Sequence, residues 1–213
     1  MMRFDCRNQI LKDLDAKKLF RGKSPNQMRL GFCSRSGDVI EPFLKPQWYV
    51  RCGEISKKMI EVVKSKELLI LPNEFEKDWY RWLENIRDWC ISRQILWGHQ
   101  CPVYLVTING KQSDPSVDDN WVAARNIEEA YERACKKFNV EKQNIQLKQD
   151  DDVLDTWFSS GLFPFSPFDW PNQESLNFKA FYPNTLLETG HDILFFWVAR
   201  MVKIIFLNKI NQN

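Results

Sequence analysis

Leu186-Leu187-Glu188-Thr189-Gly190-His191-Asp192-Ile193-Leu194-Phe195-Phe196-Trp197-Val198-Ala199-Arg200 is the stretch on which the reading of this chain turns. Phe181-Tyr182-Pro183 and Leu186-Leu187 read as a short buried strand, and Thr189-Gly190-His191-Asp192 has the Thr-x-x-Asp spacing of a capping box opening a helix. Glycine lets the backbone turn tightly and lets a ligand come close. A helix start leaves N–H donors free and carries a partial positive charge, which suits anionic or hydroxyl-rich ligands. Asp192 is an acceptor-only carboxylate, suited to a pair of sugar hydroxyls. Ile193 and Trp197 share one helix face and can wall a small apolar pocket. A second reading stands beside this one: Thr189 and Asp192 merely cap a core helix, and Ile193 and Trp197 pack inside it.

The bulk of the chain bounds what surrounds this corner. Its 213 residues, 44% hydrophobic and 27% charged, are ordinary globular composition and exclude disorder. Nine Trp and fifteen Phe are many for this length and suit aromatic-walled pockets or contact surfaces. A net charge of +2 does not by itself point to nucleic acid, although residues 3–66 are rich in Lys and Arg while Asp150-Asp151-Asp152 is acidic. The six cysteines are scattered with no Cys-x-x-Cys pair, which reads as a reduced intracellular protein. With His99 and His191 the only histidines, no protein-bound zinc is expected. No apolar run is long enough for a membrane span, and the N-terminus reads as carrying no signal or transit peptide.

Working outward along the chain, apolar spacing predicts helices over Asp5 to Leu19, Ile55 to Lys64, Glu74 to Asn85 and Ile127 to Phe138. The third of these carries Phe75, Trp79, Trp82 and Leu83 on one face, a stripe read as core. Met28 to Pro46 reads as short strands and turns, and Gln47 to Val50, Leu68 to Leu71 and Cys101 to Val106 read as strands. Asp151-Asp152-Val153-Leu154-Asp155-Thr156-Trp157 is a carboxylate cluster read as a helix start rather than as general acid or metal chemistry. Phe163 to Pro171 reads as a stiff loop packed by its own rings.

Three stretches together carry a resemblance: Asp88 to His99 (Asp-Trp-Cys-Ile-Ser-Arg-Gln-Ile-Leu-Trp-Gly-His), Asp152 to Gly161, and Leu186 to Arg200. In this order they resemble consecutive blocks of the valyl-tRNA synthetases, class I aminoacyl-tRNA synthetases with a Rossmann-type catalytic domain. Met28 to Val50, with Arg35-Ser36-Gly37-Asp38-Val39-Ile40-Glu41-Pro42, resembles the strand pair by which that family's editing insertion returns to the catalytic domain. The resemblance runs from about Arg3 to Met201. It implies an α/β fold: residues 1–50 as the end of the editing insertion, a small β-rich remnant, and 51–213 as a partial Rossmann-type catalytic domain. Parallel strands are then expected around Leu68 to Leu71, Val103 to Val106 and Leu186 to Leu187.

Carried over by position, the resemblance puts Trp97, Ile193 and Trp197 around a valine side chain. Asp192 would hold the adenosine ribose hydroxyls, with Gly190 and His191 against the nucleotide. The implied reaction joins valine to ATP, with Mg2+ accompanying the ATP, to give valyl-adenylate, and then transfers valine to tRNA(Val). Hydrolytic editing of threonine accompanies it, since an apolar wall hardly rejects that near-isostere, a limit for which this family is itself the usual example. No nucleophilic side chain is implied; orientation and charge stabilisation at the phosphate carry the catalysis.

The family's two phosphate-handling signatures, His-Ile-Gly-His and Lys-Met-Ser-Lys-Ser, do not occur in the sequence. The chain is therefore expected to be an internal piece of a synthetase, inactive alone and partnered by the remaining parts of that enzyme. A cytoplasmic enzyme is implied, with a mitochondrial location as the alternative. The competing reading is a truncated, non-catalytic product that binds RNA or a partner, or a degenerate gene fragment, with the basic N-terminal third as its surface.

Overall fold

Helical spacing of apolar residues and short alternating runs decide most elements, and the structure, a computed structural model, describes residues 2–34 and 36–210. Arg35, part of the segment likened to an editing return, lies outside the described residues. The chain divides into two units, Met1–Leu44 and Lys45–Asn213.

In the first unit, α1 (Arg3–Ala16) has no buried residue. The strands expected within Met28 to Pro46 reduce to a single antiparallel bridge, Phe32 with Val39. It closes over a tight turn in which the Gly37 N–H donates to the Cys33 carbonyl at 2.9 Å, with Gly37 in the left-handed region at φ 74°. Phe32 is 61% exposed, so no apolar face extends the ladder.

The second unit begins with β1 (Tyr49–Val50) and α2 (Gly53–Lys64), followed by α3 (Glu76–Glu84), β2 (Trp89–Cys90) and β3 (Ser92–Arg93). β1 pairs with β2 in antiparallel register, Tyr49 opposite Cys90. Half of the stripe expected to be core is core: Trp79 and Leu83 pack with Met59 and Val63 of α2, and the Trp79 indole N–H donates to the Met59 carbonyl at 3.2 Å, whereas Phe75 and Trp82 are only half-buried.

Next come β4 (Val103–Ile108), β5 (Trp121–Ala123), α4 (Ile127–Phe138) and β6 (Ile145–Gln149). They form a three-stranded sheet in the order β5-β4-β6, with β4 antiparallel to both neighbours. α4 covers it through Ala130 and Ala134, both fully buried against Tyr104, Val106 and Ile145. Asn126 caps α4 by accepting from the Glu129 N–H, and Asn139 ends it in the left-handed conformation.

The remaining elements are β7 (Val153–Leu154), α5 (Thr156–Gly161), α6 (Leu176–Phe181) and α7 (Ala199–Ile210). β7 pairs antiparallel with β3. A further core gathers Cys52, Trp89, Phe165 and Ile204, with Phe165 from the Phe163 to Pro171 loop packed on Trp170 and Tyr182.

The parallel sheet expected from the sequence does not form among the described residues. Every ladder is antiparallel, and Leu68 to Leu71 and Leu186 to Leu187 pair with nothing. A strand is held by a ladder of bonds to a neighbouring strand, and these segments join none: the Leu68 N–H donates to the Val62 carbonyl at 2.9 Å and Ile70 packs into the core of α2 and α3, while Leu71 is 75% and Leu186 85% exposed. Phe181, read as strand, closes α6 instead. The chain is thus a mixed helix and strand fold.

Glu129 fastens the start of α4. The Arg125 backbone N–H, the Arg125 side chain and Arg133 hold its carboxyl down to about 2, from an ordinary 4.5. A depressed carboxylate contributes stability that is present above the ordinary value and is lost as pH falls through the folded one. Glu129→Gln should therefore lower the thermal midpoint at pH 7, with the gap from the unmutated chain closing between pH 4.5 and about 2. Thermal melts by circular dichroism across that range check this.

Candidate amino-acid and nucleotide site

The helix after Thr189 does not open as the sequence pattern predicts. Gly190 occupies the cap position without a side-chain cap, and the Thr189 hydroxyl donates to the Gly190 carbonyl at 3.2 Å. The chain enters through a 3-10 turn, His191–Ile193, and a π-helical turn, Leu194–Val198, before becoming α7. In that turn the Ala199 N–H reaches back five residues to the Leu194 carbonyl. Threonine misses the cap because the first turn is 3-10, so its hydroxyl finds the adjacent carbonyl instead.

Gly190 and Asp192 meet through close approach. The Asp192 carboxylate folds back over Gly190, and a Cβ there would lie 2.6 Å from Asp192 Oδ1. Only a residue without a side chain leaves that carboxylate where it is, and Asp192 itself is exposed.

His191 is held from α3. Its ring stacks on Phe75 with centroids 4.1 Å apart, lies 6.1 Å from the Trp82 ring, and sets Nε2 2.9 Å from Asp78 Oδ2. Asp78 also pairs with Arg81 at 2.6 Å. The outer half of the aromatic stripe, Phe75 and Trp82, thus holds the Gly190–Asp192 turn, while Trp79 and Leu83 hold the core.

Ile193 immediately precedes the π turn and Trp197 lies within it, and both are half-buried. Trp97 is elsewhere: it stands on the loop after β3 with 90% of its surface exposed, so no side chain encloses it. Gly98 beside it has φ 152°, and a Cβ there would come within 3.0 Å of Val153. His99 Nδ1 ties the loop to Ser159 Oγ on α5 at 2.9 Å. The structure therefore brings Gly190, His191 and Asp192 together and sets Ile193 and Trp197 beside them, and it leaves Trp97 open.

Sequence reading missed the centre that supports this corner. Asp155 is buried, caps α5 by accepting from the Trp157 N–H, accepts from the Trp89 indole at 3.1 Å and pairs with Arg93 at 2.8 Å. Arg200, one turn beyond Trp197, lies 3.8 Å from the same carboxylate, with its guanidinium 4.4 Å over the Trp89 ring. Burial pushes the Arg200 guanidinium below its ordinary value. The legible signal was the Asp-Thr-Trp helix start; its charge partners, 62 residues before and 45 residues after Asp155, share no local pattern with it. The other acidic residues are also committed: Asp152, buried, accepts from Lys45 at 2.5 Å and Gln94 at 2.7 Å, and Asp150 accepts from the Trp48 indole at 2.7 Å.

A family model described as tRNA synthetases class I (I, L, M and V) matches residues 15–210. The chain belongs to that family. Among class I tRNA synthetases it is 53% identical over 205 residues to the valine–tRNA ligase of Mus musculus, covering 95% of this chain and 16% of the relative. The mitochondrial valine–tRNA ligase of Saccharomyces cerevisiae is 50% identical over 202 residues, covering 95% of this chain and 18% of the relative. The valine–tRNA ligase of Caenorhabditis elegans is 50% identical over 203 residues, covering 95% and 19%. This class I synthetase chain thus spans less than a fifth of the length of these relatives. No helix among its described residues is long and apolar enough to cross a membrane.

Removing the buried Asp155 carboxylate leaves the Trp89 indole and the Trp157 N–H without their acceptor and the largely buried Arg200 charge without its counter-charge. Asp155→Ala should cost about 3–5 kcal/mol of unfolding free energy. Asp155→Asn should cost less, because its amide oxygen still caps α5. Urea unfolding midpoints at constant slope measure both.

Proposed function

We propose that this chain is the valine- and adenosine-contacting part of a valine–tRNA ligase, within a Rossmann-type catalytic domain completed by other parts of a synthetase. One observation carries the reading: identity of 50–53% to relatives of that name runs along 95% of the chain. Residues 28–50 are, in this reading, the return from an editing insertion, and the location is cytoplasmic or mitochondrial.

Ile193 and Trp197, together with Trp97 from the loop after β3, contact the valine side chain. Asp192 accepts from the adenosine ribose hydroxyls, and Gly190 and His191 lie against the nucleotide. The folded-back Asp192 carboxylate supports this role, since it presents acceptor oxygens next to a backbone with no side chain in the way. The valine carboxylate attacks the α-phosphate of ATP, which brings its own Mg2+; pyrophosphate leaves, and valyl-adenylate then passes valine to the terminal ribose of tRNA(Val). This chain's residues bind and orient, and stacking of His191 with Phe75 and Trp82 keeps the nucleotide-facing turn in one geometry.

Two measurements test the reading. In a complete enzyme carrying this segment, Trp197→Ala should raise the KM for valine by roughly 10–100-fold, because the apolar surface of the indole no longer covers the valine methyl groups. The KM for ATP should stay nearly unchanged, and equal losses for both substrates would remove the pocket assignment. The 213-residue chain alone should show no valine-dependent exchange of pyrophosphate into ATP, because its sequence holds neither phosphate-handling signature. Exchange near the rate of a complete enzyme would contradict this.

A further inference from the structure

A cleft of about 480 Å³ opens between α3, β2 and α7. Trp82, Trp89 and Phe195 form its apolar walls, and five cationic side chains face it: Arg81, Arg87, Arg93, Arg200 and Lys203. None of the residues proposed for valine or adenosine lines it.

The charges in this cleft do not balance. Arg81 is matched by Asp78, Arg93 and Arg200 share the single carboxylate of Asp155, and Asp88 is the one acidic residue in the lining. Asp88 already accepts from the Cys52 backbone N–H at 3.0 Å. Lys203, only 4% exposed, faces a thiol rather than a carboxylate: its Nζ lies 3.1 Å from Cys52 Sγ. Arg87 has no ion-pair partner among the described residues, and five cations against three carboxylates leave two positive charges unmatched.

One atom sharpens the imbalance. Arg200 Nη1 is buried with no hydrogen-bond partner, its distance to Asp155 being 3.8 Å. Leaving a buried charged donor unsatisfied is costly, and a rotation of the Arg200 side chain that turned Nη1 toward an acceptor in the cleft would relieve that cost. The guanidinium fork pairs geometrically with carboxylate or phosphate oxygens, and a charge excess of two favours the multiply charged of these.

We propose that this cleft binds a phosphate-type polyanion, a phosphate or pyrophosphate group, seated between Arg87 and Arg200 with Lys203 completing its charge, while Arg93 stays bonded to Asp155 and to the Cys90 and Ser92 carbonyls. The cleft is large enough for such a group, and the rings of Trp82, Trp89 and Phe195 in its walls lower the local polarity, which strengthens a charged bond beside them. The proposal stands on the cleft alone and does not depend on the valine–tRNA ligase reading.

Trp89 both lines the cleft and lies under Arg200, so binding is read by tryptophan fluorescence of the 213-residue chain titrated with sodium pyrophosphate at constant ionic strength. Saturable one-to-one quenching is expected. Arg87→Glu, at the exposed rim where folding is not at stake, should weaken binding by roughly tenfold or more. Arg200→Lys, which keeps the charge and loses the fork, should weaken it by a similar factor. Lys148→Glu, outside the cleft, should leave it unchanged. Absence of saturable binding by the folded chain overturns the proposal, as does unchanged binding by Arg87→Glu or an equal loss in Lys148→Glu.

Discussion

Asp155 is the constraint on which the second unit depends. One buried carboxylate caps α5, accepts from the indole of β2, pairs with the guanidinium of β3 and lies against the arginine in the first turn of α7. A carboxylate taken out of water is tolerable only when it is surrounded by donors, so these four elements are tied to one another by the same requirement. The backbone joins in: the Asp155 N–H donates to the Ile91 carbonyl at 2.7 Å, which sets the β3–β7 pairing beside the side chain's partners. Removing the charge would loosen a whole junction of elements.

From that junction the candidate site is built outward in two directions. The π turn leads into α7, and in it Phe195, Trp197 and Val198 lie between the buried Leu194 and Ala199. The extra residue that a π turn accommodates re-aims the side chains ahead of it without breaking the helix, a device often found where a helix meets a ligand. α3 and its cap residue supply the second support, the rings of Phe75 at the cap and Trp82 within the helix holding His191 while Asp78 bonds it. Gly190 and Asp192 are then fixed by chain connectivity, with the exposed Asp192 carboxylate folded over the bare Gly190 backbone.

The small sheet β5-β4-β6 with α4 is a self-contained layer, attached through the acidic run rather than through a shared core. Trp48 packs edge-on to Trp121 at 5.2 Å and donates its indole N–H to Asp150, while Lys45 pairs with Asp152. Charged and aromatic contacts of this kind position a subdomain without a continuous apolar seam.

What the sequence by itself determined was local. The spacing of Met59 and Val63, of Trp79 and Leu83, and of Ala130 and Ala134 set three helices and their buried faces, because a helix face is decided by residues three and four apart. The ordered blocks around Trp89, Asp155 and Gly190 carried the family, because such blocks are patterns in the chain itself. Tertiary structure decided the rest. Whether Leu68 to Leu71 and Leu186 to Leu187 become strands depends on a neighbour to pair with, which no local run encodes. The strand β6 went unread although Ile145-Gln146-Leu147-Lys148-Gln149 alternates, and its place at the edge of an antiparallel sheet is set only by its pairing with β4. The meeting of Arg93, Arg200 and Lys203 around Trp89 and Asp155 was equally hidden, since a buried charge chooses its partners through space and the chain holds Arg93 far from both Arg200 and Lys203.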